Sequence, residues 1–189
     1  MPRQGLNPDV LTRVAAELAD RDGMAAVTVS AVAREVDVKP ASLYAHVSGT
    51  DALRTSVALL ALEELAEAAG AAVAGRSGRD ALTGLADAYR TYAHEHPGRY
   101  AACRVPLDHE VALHSAGPKH TLLVASILRG YAVPDSEHVH AVRLLGAAIH
   151  GFIDLDGAGS FGHSAPTSDG SWERMLERLD AALRTWPTG

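Results

Sequence analysis

Apolar side chains recur along almost the whole chain at three- and four-residue steps, and alternating strand-like stretches bounded by turns are missing. The pattern predicts an all-α protein. A first helix is expected to open at Asn7-Pro8-Asp9, with Asn7 as its cap, Pro8 at the first helical position and an acid in the first turn. Its stripe is Val10, Leu11, Val14, Ala15 and Leu18, and Asp22-Gly23 ends it. Thr28 caps a second helix whose apolar positions are Val29, Val32, Ala33 and Val36. Asp37 follows where the chain must turn, and Pro40 opens a short third helix to about Val47. Ser48-Gly49-Thr50-Asp51 has the form of a capping box, from which a fourth helix runs past Leu53 to about Val73.

Beyond the break at Gly75-Arg76-Ser77-Gly78, a helix is expected from about Arg79 to Glu95, ending at Pro97-Gly98. Arg99 to Pro118 reads as one short helix and a loop. Helices then fit Lys119–Tyr131 and Ser136–Leu155, separated by Val133-Pro134. Asp156 to Gly170 has a linker composition, rich in Gly, Ser and Thr. A last helix is expected from Ser171, with Trp172, Met175, Leu176, Leu179, Leu183 and Trp186 on one face. The organisation is a three-helix head over residues 1–53 and a larger helical bundle over residues 54–189.

At 189 residues the chain is long enough for a sizeable core, and 47% apolar with 21% charged residues is a globular composition. No run is long and apolar enough for a membrane span, no secretory leader is visible, and Cys103 is the single cysteine. A cytoplasmic protein without an internal disulfide or cysteine-based zinc site is expected. The net charge of −6 argues mildly against nucleic acid. Over residues 1–55, Arg3, Arg13, Arg21, Arg34, Lys39 and Arg54 stand against Asp9, Glu17, Asp20, Asp22, Glu35, Asp37 and Asp51. A DNA-binding reading must therefore rest on local geometry.

That geometry lies in residues 28–47. Two short helices joined by a tight turn suit a helix-turn-helix. Val32, Val36, Val38, Leu43 and Val47 can pack together and leave Lys39, Pro40, Ser42, Tyr44, Ala45 and His46 on the other side of the third helix, suited to a major groove. A plain helical hairpin with a solvated outer face accounts for the pattern equally well. Thr28, Ala33, Val38-x-Pro40-x-Ser42-Leu43-Tyr44-x-His46-Val47 and Asp51-Ala52-Leu53 together resemble the DNA-binding domain of the TetR family of regulators. The segment from His150 to Phe161 is similar to the C-terminal signature of a TetR subgroup with a Trp-His-Gly motif, with Ile149 where the Trp would stand.

The resemblance implies roles at matching positions. Thr28, Tyr44 and His46 would meet phosphates, and Ser30, Pro40, Ala41 and Ser42 would lie at base edges, with Lys39 nearby. Where relatives place a Lys at the start of the fourth helix this chain has Thr50, and where many have Gly at the turn it has Asp37. The load then shifts towards Arg3 and Lys39. The resemblance also implies a palindromic operator, a homodimer made by the last two long helices, and release by a small molecule. The seam expected for the dimer is Val142, Leu145, Ile149 and Phe152 with Leu176, Leu179 and Leu183.

Other chemistry is thin. His94/His96 and His138/His140 are two residues apart and do not share a helical face, so no metal site is expected. Gly157-x-Gly159-x-x-Gly162 has a dinucleotide spacing but neither the strand nor the helix that would make it one. No catalytic constellation or cofactor motif stands out, and an enzyme is not expected. Leu62, Tyr89, Tyr92, Tyr100, Cys103 and His150 are the candidate pocket residues, for a neutral or weakly polar ligand. A TetR-like ligand-binding or interaction protein that does not bind DNA, and a small all-α enzyme, stay open as alternatives.

Overall fold

The computed structural model describes residues 6–163 and 165–187. Among them are ten α-helices and no strand: α1 (Pro8–Asp22), α2 (Val29–Glu35), α3 (Pro40–Leu43), α4 (Thr50–Val73), α5 (Gly78–Glu95), α6 (Pro97–Ala102), α7 (His109–Leu113), α8 (Gly117–Arg129), α9 (His138–Gly157) and α10 (Ser168–Arg184). The chain divides into two compact units, Met1–Leu65 with Tyr92–Gly117, and Ala66–Thr91 with Pro118–Gly189. Residues 92–117 thus group with the head that precedes them by a long stretch of chain.

The start of α1 follows its sequence signals. Asn7 Oδ1 accepts from Val10 N at 2.9 Å, and Pro8 takes the first position. Four expectations need correction. α3 is α-helical only over Pro40–Leu43, with turns from Tyr44 to His46. At α4 the first helical bond runs from Leu53 N to Gly49 O, so Gly49 and not Ser48 is the cap. The stretch from Arg99 to Pro118 carries most of α6 and all of α7 rather than one short helix. α10 opens at Ser168, ahead of Ser171, and ends before Trp186.

The first unit packs around Leu11, Ala15, Leu18, Val32, Leu43, Leu53 and Val57, all buried, with Ala102 of α6 in the same cluster. Gly98 sets how closely α6 approaches α1. A Cβ at that position would collide with the carbonyl of Ala19 and lie 2.6 Å from Asp20 N. Polar groups reinforce the contact. Arg99 N donates to Asp20 Oδ1 at 2.9 Å, and Arg99 Nε lies 3.0 Å from Asp20 Oδ2, close enough for an ion pair. Arg99 Nη1 reaches Glu64, which also accepts from the Tyr92 hydroxyl at 2.7 Å.

In the second unit, Trp172, Leu176, Leu179 and Leu183 of α10 are buried with Leu145, Ile149 and Ile153 of α9 and Leu82 and Leu85 of α5. Trp172 Nε1 donates to Asp87 at 2.8 Å. Arg90 pairs with Asp156 at 2.9 Å and Asp169 at 2.8 Å, so α5 grips both ends of the α9–α10 connection. Asp180 is buried, yet its carboxyl is held below its ordinary value. Burial opposes ionisation, but hydrogen bonds from Arg184 at 2.9 Å and the Tyr131 hydroxyl at 2.7 Å outweigh it. A carboxyl depressed in this way adds stability above its unfolded value, and that stability is lost as pH falls through the folded one. Asp180→Ala should cost about 2 kcal/mol, chiefly by stranding the Tyr131 hydroxyl. Urea denaturation at neutral pH measures it, and the variant should lose less stability than wild type on acidification.

Candidate nucleic-acid interface and internal cavity

The α2–α3 pair is built by its backbone turn. Val36 caps α2, Asp37 follows with φ 53°, and two reversed bonds close the turn: Val38 N to Ala33 O at 3.0 Å and Asp37 N to Arg34 O at 3.2 Å. This is a Schellman motif, with the left-handed position filled by an aspartate, which tolerates that backbone better than most residues. Val36, Val38 and Val47 pack half-buried against the cluster that holds Val32 and Leu43, as the apolar pattern requires. At the other end of α2, Thr28 Oγ1 accepts from Ala31 N at 3.1 Å, which leaves its hydroxyl proton directed by whatever acceptor approaches.

The outer side is polar and open. Ser30, Lys39, Pro40, Ala41, Ser42 and Ala45 are exposed, and Tyr44 is 62% exposed, while Thr28, His46 and Thr50 are half-buried. Thr50 Oγ1 also accepts a long 3.4 Å bond from Val29 N, which ties the start of α4 to the start of α2. Arg54 does the same work more firmly. It donates to Val27 O and Ala25 O, both at 3.0 Å, and pins the approach to α2 against α4. Arg21 is engaged by Glu35 at 2.6 Å and Asp22 at 3.0 Å. Two of the head's cations are thus committed to its own framework. Arg3 lies outside the described residues.

The second unit contains a cavity of about 140 Å³. Its walls are Leu85, Val124, Val142, Leu145 and Ile149, with Gly146 and Thr121 among them. Tyr89, His120 and His150 gather in it: the Tyr89 hydroxyl lies 2.6 Å from His120 Nδ1, and the ring centroids of Tyr89 and His150 are 5.5 Å apart.

Of the six residues expected to line a pocket, Tyr89 and His150 line this one. Leu62, Tyr92, Tyr100 and Cys103 belong to the first unit and are corrected out of the lining. Tyr92 is bonded to Glu64, Tyr100 is buried with Arg104 over its ring at 4.7 Å, and Cys103 packs beside the core. Burial pushes the Cys103 thiol up to about 12, which keeps it protonated and unreactive. His120 and Gly146 were missed, although His120, Val124, Ile127 and Leu128 share one face of α8 at three- and four-residue steps.

The expected dimer seam also needs correction. Leu145, Ile149, Leu176, Leu179 and Leu183 are buried within the single chain, Val142 lines the cavity, and Phe152 packs between Phe161 and Trp172. The five buried leucine and isoleucine side chains are covered by their own unit and not left for a partner, while Val142 and Phe152 stay half-buried. Among the described residues no group of three or more His, Cys, Asp or Glu is gathered to hold a metal ion. None of the described helices is long and apolar enough to cross a membrane.

The model of the bacterial regulatory proteins of the tetR family matches residues 11–57, and the tetracyclin repressor-like C-terminal domain matches residues 82–179. The chain belongs to the TetR family of bacterial transcriptional regulators. A relative described as an uncharacterized HTH-type transcriptional regulator, YobS of Bacillus subtilis (strain 168), is 32% identical over 190 aligned residues, which span 100% of this chain and 94% of YobS. A relative described in the same words, Rv0681 of Mycobacterium tuberculosis, is 31% identical, with 87% of this chain and 75% of Rv0681 covered. The fold is shared with a TetR variant from Acinetobacter baumannii in complex with minocycline, at TM-score 0.73 and 18% identity, covering 97% and 99% of the two chains. It is shared too with the Streptomyces coelicolor TetR family protein ActR in complex with (S)-DNPA, at TM-score 0.66 and 20% identity over 94% and 96%. The TetR family is one of DNA-binding transcriptional regulators and not of enzymes.

Proposed function

We propose that this regulator binds a palindromic operator as a homodimer through α2 and α3, and releases it when a small neutral or weakly polar molecule occupies the cavity of the second unit. The observation that carries the reading is the exposed face of Lys39, Pro40, Ala41, Ser42 and Tyr44 on a helix pair held rigid by the Asp37 turn. Within this proposal residues 1–53 read DNA and residues 54–189 sense the ligand and dimerise, in the cytoplasm, with repression as the default action. Ser30, Pro40, Ala41 and Ser42 meet base edges, while Thr28, Lys39, Tyr44, His46 and Thr50 meet phosphates. Two such heads must sit about 34–36 Å apart to enter successive major grooves, and a ligand that favours another spacing weakens binding. Two proteins of the same fold form complexes with small molecules, minocycline and (S)-DNPA, which suits a ligand-responsive role for this chain.

The dimer contact is assigned to the outward face of α9. Leu144 and Leu155 are 41% and 49% exposed, with Ala147, Ala148 and Gly151 between them on the same side of the helix. Small residues between two leucines suit close helix approach. The outer face of α10, by contrast, carries Glu173, Arg174 and Arg178. Leu144→Arg should give a folded monomer in analytical ultracentrifugation, whereas Leu179→Arg should unfold the second unit because Leu179 is 7% exposed. A Leu144→Arg variant that stays dimeric would move the interface elsewhere.

Mixing the protein with a labelled duplex from the DNA upstream of its own gene should give two chains per duplex. A second reading, a ligand-binding or interaction protein that does not grip DNA, is favoured by the commitment of Arg21 and Arg54 to internal partners. It would prevail if no such complex forms at low salt.

A further inference from the structure

We infer that the molecule this cavity takes is a monocyclic phenol, a neutral compound with one ring and one weakly acidic hydroxyl; this deepens the effector reading above and rests on it. Size sets the first limit. The cavity measures about 140 Å³, and about 150 Å³ of apolar cavity is what one benzene ring fills. A fused or multi-ring compound exceeds it and would have to extend out of its open side.

Polarity sets the second. The walls Leu85, Val124, Val142, Leu145 and Ile149 are aliphatic, and the hydrogen-bonding groups are Tyr89, Thr121, His120 and His150. A ligand with one polar end and an apolar body matches that division. Charge sets the third. Neither Lys nor Arg lines the cavity, so a carboxylate or phosphate would be desolvated without a fixed cation opposite it. A phenol is neutral at pH 7, since its ordinary value is about 10. Its hydroxyl both donates and accepts, so it suits imidazoles in either tautomer. The cavity already holds such a pairing, with the Tyr89 phenol 2.6 Å from His120 Nδ1.

Gly146 supplies the discriminating variant. A Cβ there would meet only His150 Cδ2, at 3.9 Å, which is ordinary contact, so the backbone one turn before the imidazole on the same wall leaves room for ligand atoms. Gly146→Val fills that room without a clash at the first carbon.

Isothermal titration of the full-length protein with p-cresol, toluene, benzoate and 2-naphthol tests the inference. The expected order is p-cresol first, toluene about 3- to 10-fold weaker for want of one hydrogen bond, and benzoate and naphthol at least about tenfold weaker. Tyr89→Phe should shrink the cresol–toluene gap, and Gly146→Val should abolish cresol binding at an unchanged melting temperature. If Gly146→Val melts early, Val142→Phe, which fills the cavity from the preceding turn of α9, takes its place. Toluene or benzoate binding as tightly as cresol, a larger compound displacing it, or cresol binding that ignores both cavity-filling variants would overturn the inference. Operator release is read in the same samples. Cresol that binds but leaves DNA affinity unchanged upholds the ligand class and sinks the effector reading. A different compound that releases DNA through this cavity, with cresol ignored, does the reverse.

Discussion

Gly98→Ala is expected to lower the melting temperature by roughly 6–12 °C, the largest stability effect of any single methyl in the first unit. The added carbon has no void to enter. It meets the α1 backbone at Ala19 O and Asp20 N, and backbone atoms of a helix cannot step aside as a side-chain tip can. Relief requires α6 to lift off α1, which also lengthens the Arg99–Asp20 contacts of 2.9 and 3.0 Å. Overpacking of this kind costs about 3 kcal/mol or more, and each kcal/mol is worth about 2–4 °C in a chain of this size. Gly70→Ala in α4 serves as the control, because a Cβ there meets nothing within 4 Å. Differential scanning fluorimetry of both variants decides it, and a Gly98→Ala protein as stable as Gly70→Ala would show that α6 does not rest on α1 as described.

Lys39→Ala combined with Tyr44→Phe should weaken operator binding about 100-fold while leaving the fold intact. Both side chains are exposed, and Tyr44 makes its surface contribution with 62% of its area open. Each head loses one hydroxyl and one cation, and a dimer loses both twice, at about 0.5–1.5 kcal/mol per contact. Because these groups are assigned to phosphates, the loss should be similar on every DNA sequence, and the salt dependence should become shallower. Ser42→Ala, at a base-edge position, should instead change which operator is preferred and alter overall affinity little. Fluorescence anisotropy on the operator and on a base-substituted operator separates the two patterns.

The head was legible because its information is local. Asn7 and Pro8 announce α1, Thr28 announces α2, and Asp37 holds the one left-handed position of the turn, each through bonds within a few residues. The same locality explains the misplaced cap at α4. Ser48 and Asp51 have capping-box spacing, but Gly49, with φ 120°, ends the extended segment one residue later. Gly170 and the linker composition hid the first turn of α10, which Ser168 begins. What periodicity cannot supply is the direction in which a stripe faces. Leu145, Ile149, Leu176 and Leu179 have the spacing of a dimer seam and the spacing of a core, and burial alone decides for the core. The cavity was half legible for a related reason. Tyr89 and His150 stand out as polar groups on apolar helices, but His120 and Gly146 gain meaning only from α8 and α9 lying near α5, a contact that no local pattern encodes. Arg54 and Gly98 are similar cases, since each acts on backbone distant in sequence.

The most direct test of the account is equilibrium binding of the purified protein to the DNA upstream of its own gene, at about 150 mM salt, beside a scrambled duplex of equal length. The account predicts a complex of two chains with one duplex, at least about 1,000-fold tighter than on the scrambled sequence, and weakened about 100-fold in the Lys39→Ala, Tyr44→Phe variant. Equal affinity for both duplexes, or wild-type affinity in that double variant, would contradict it.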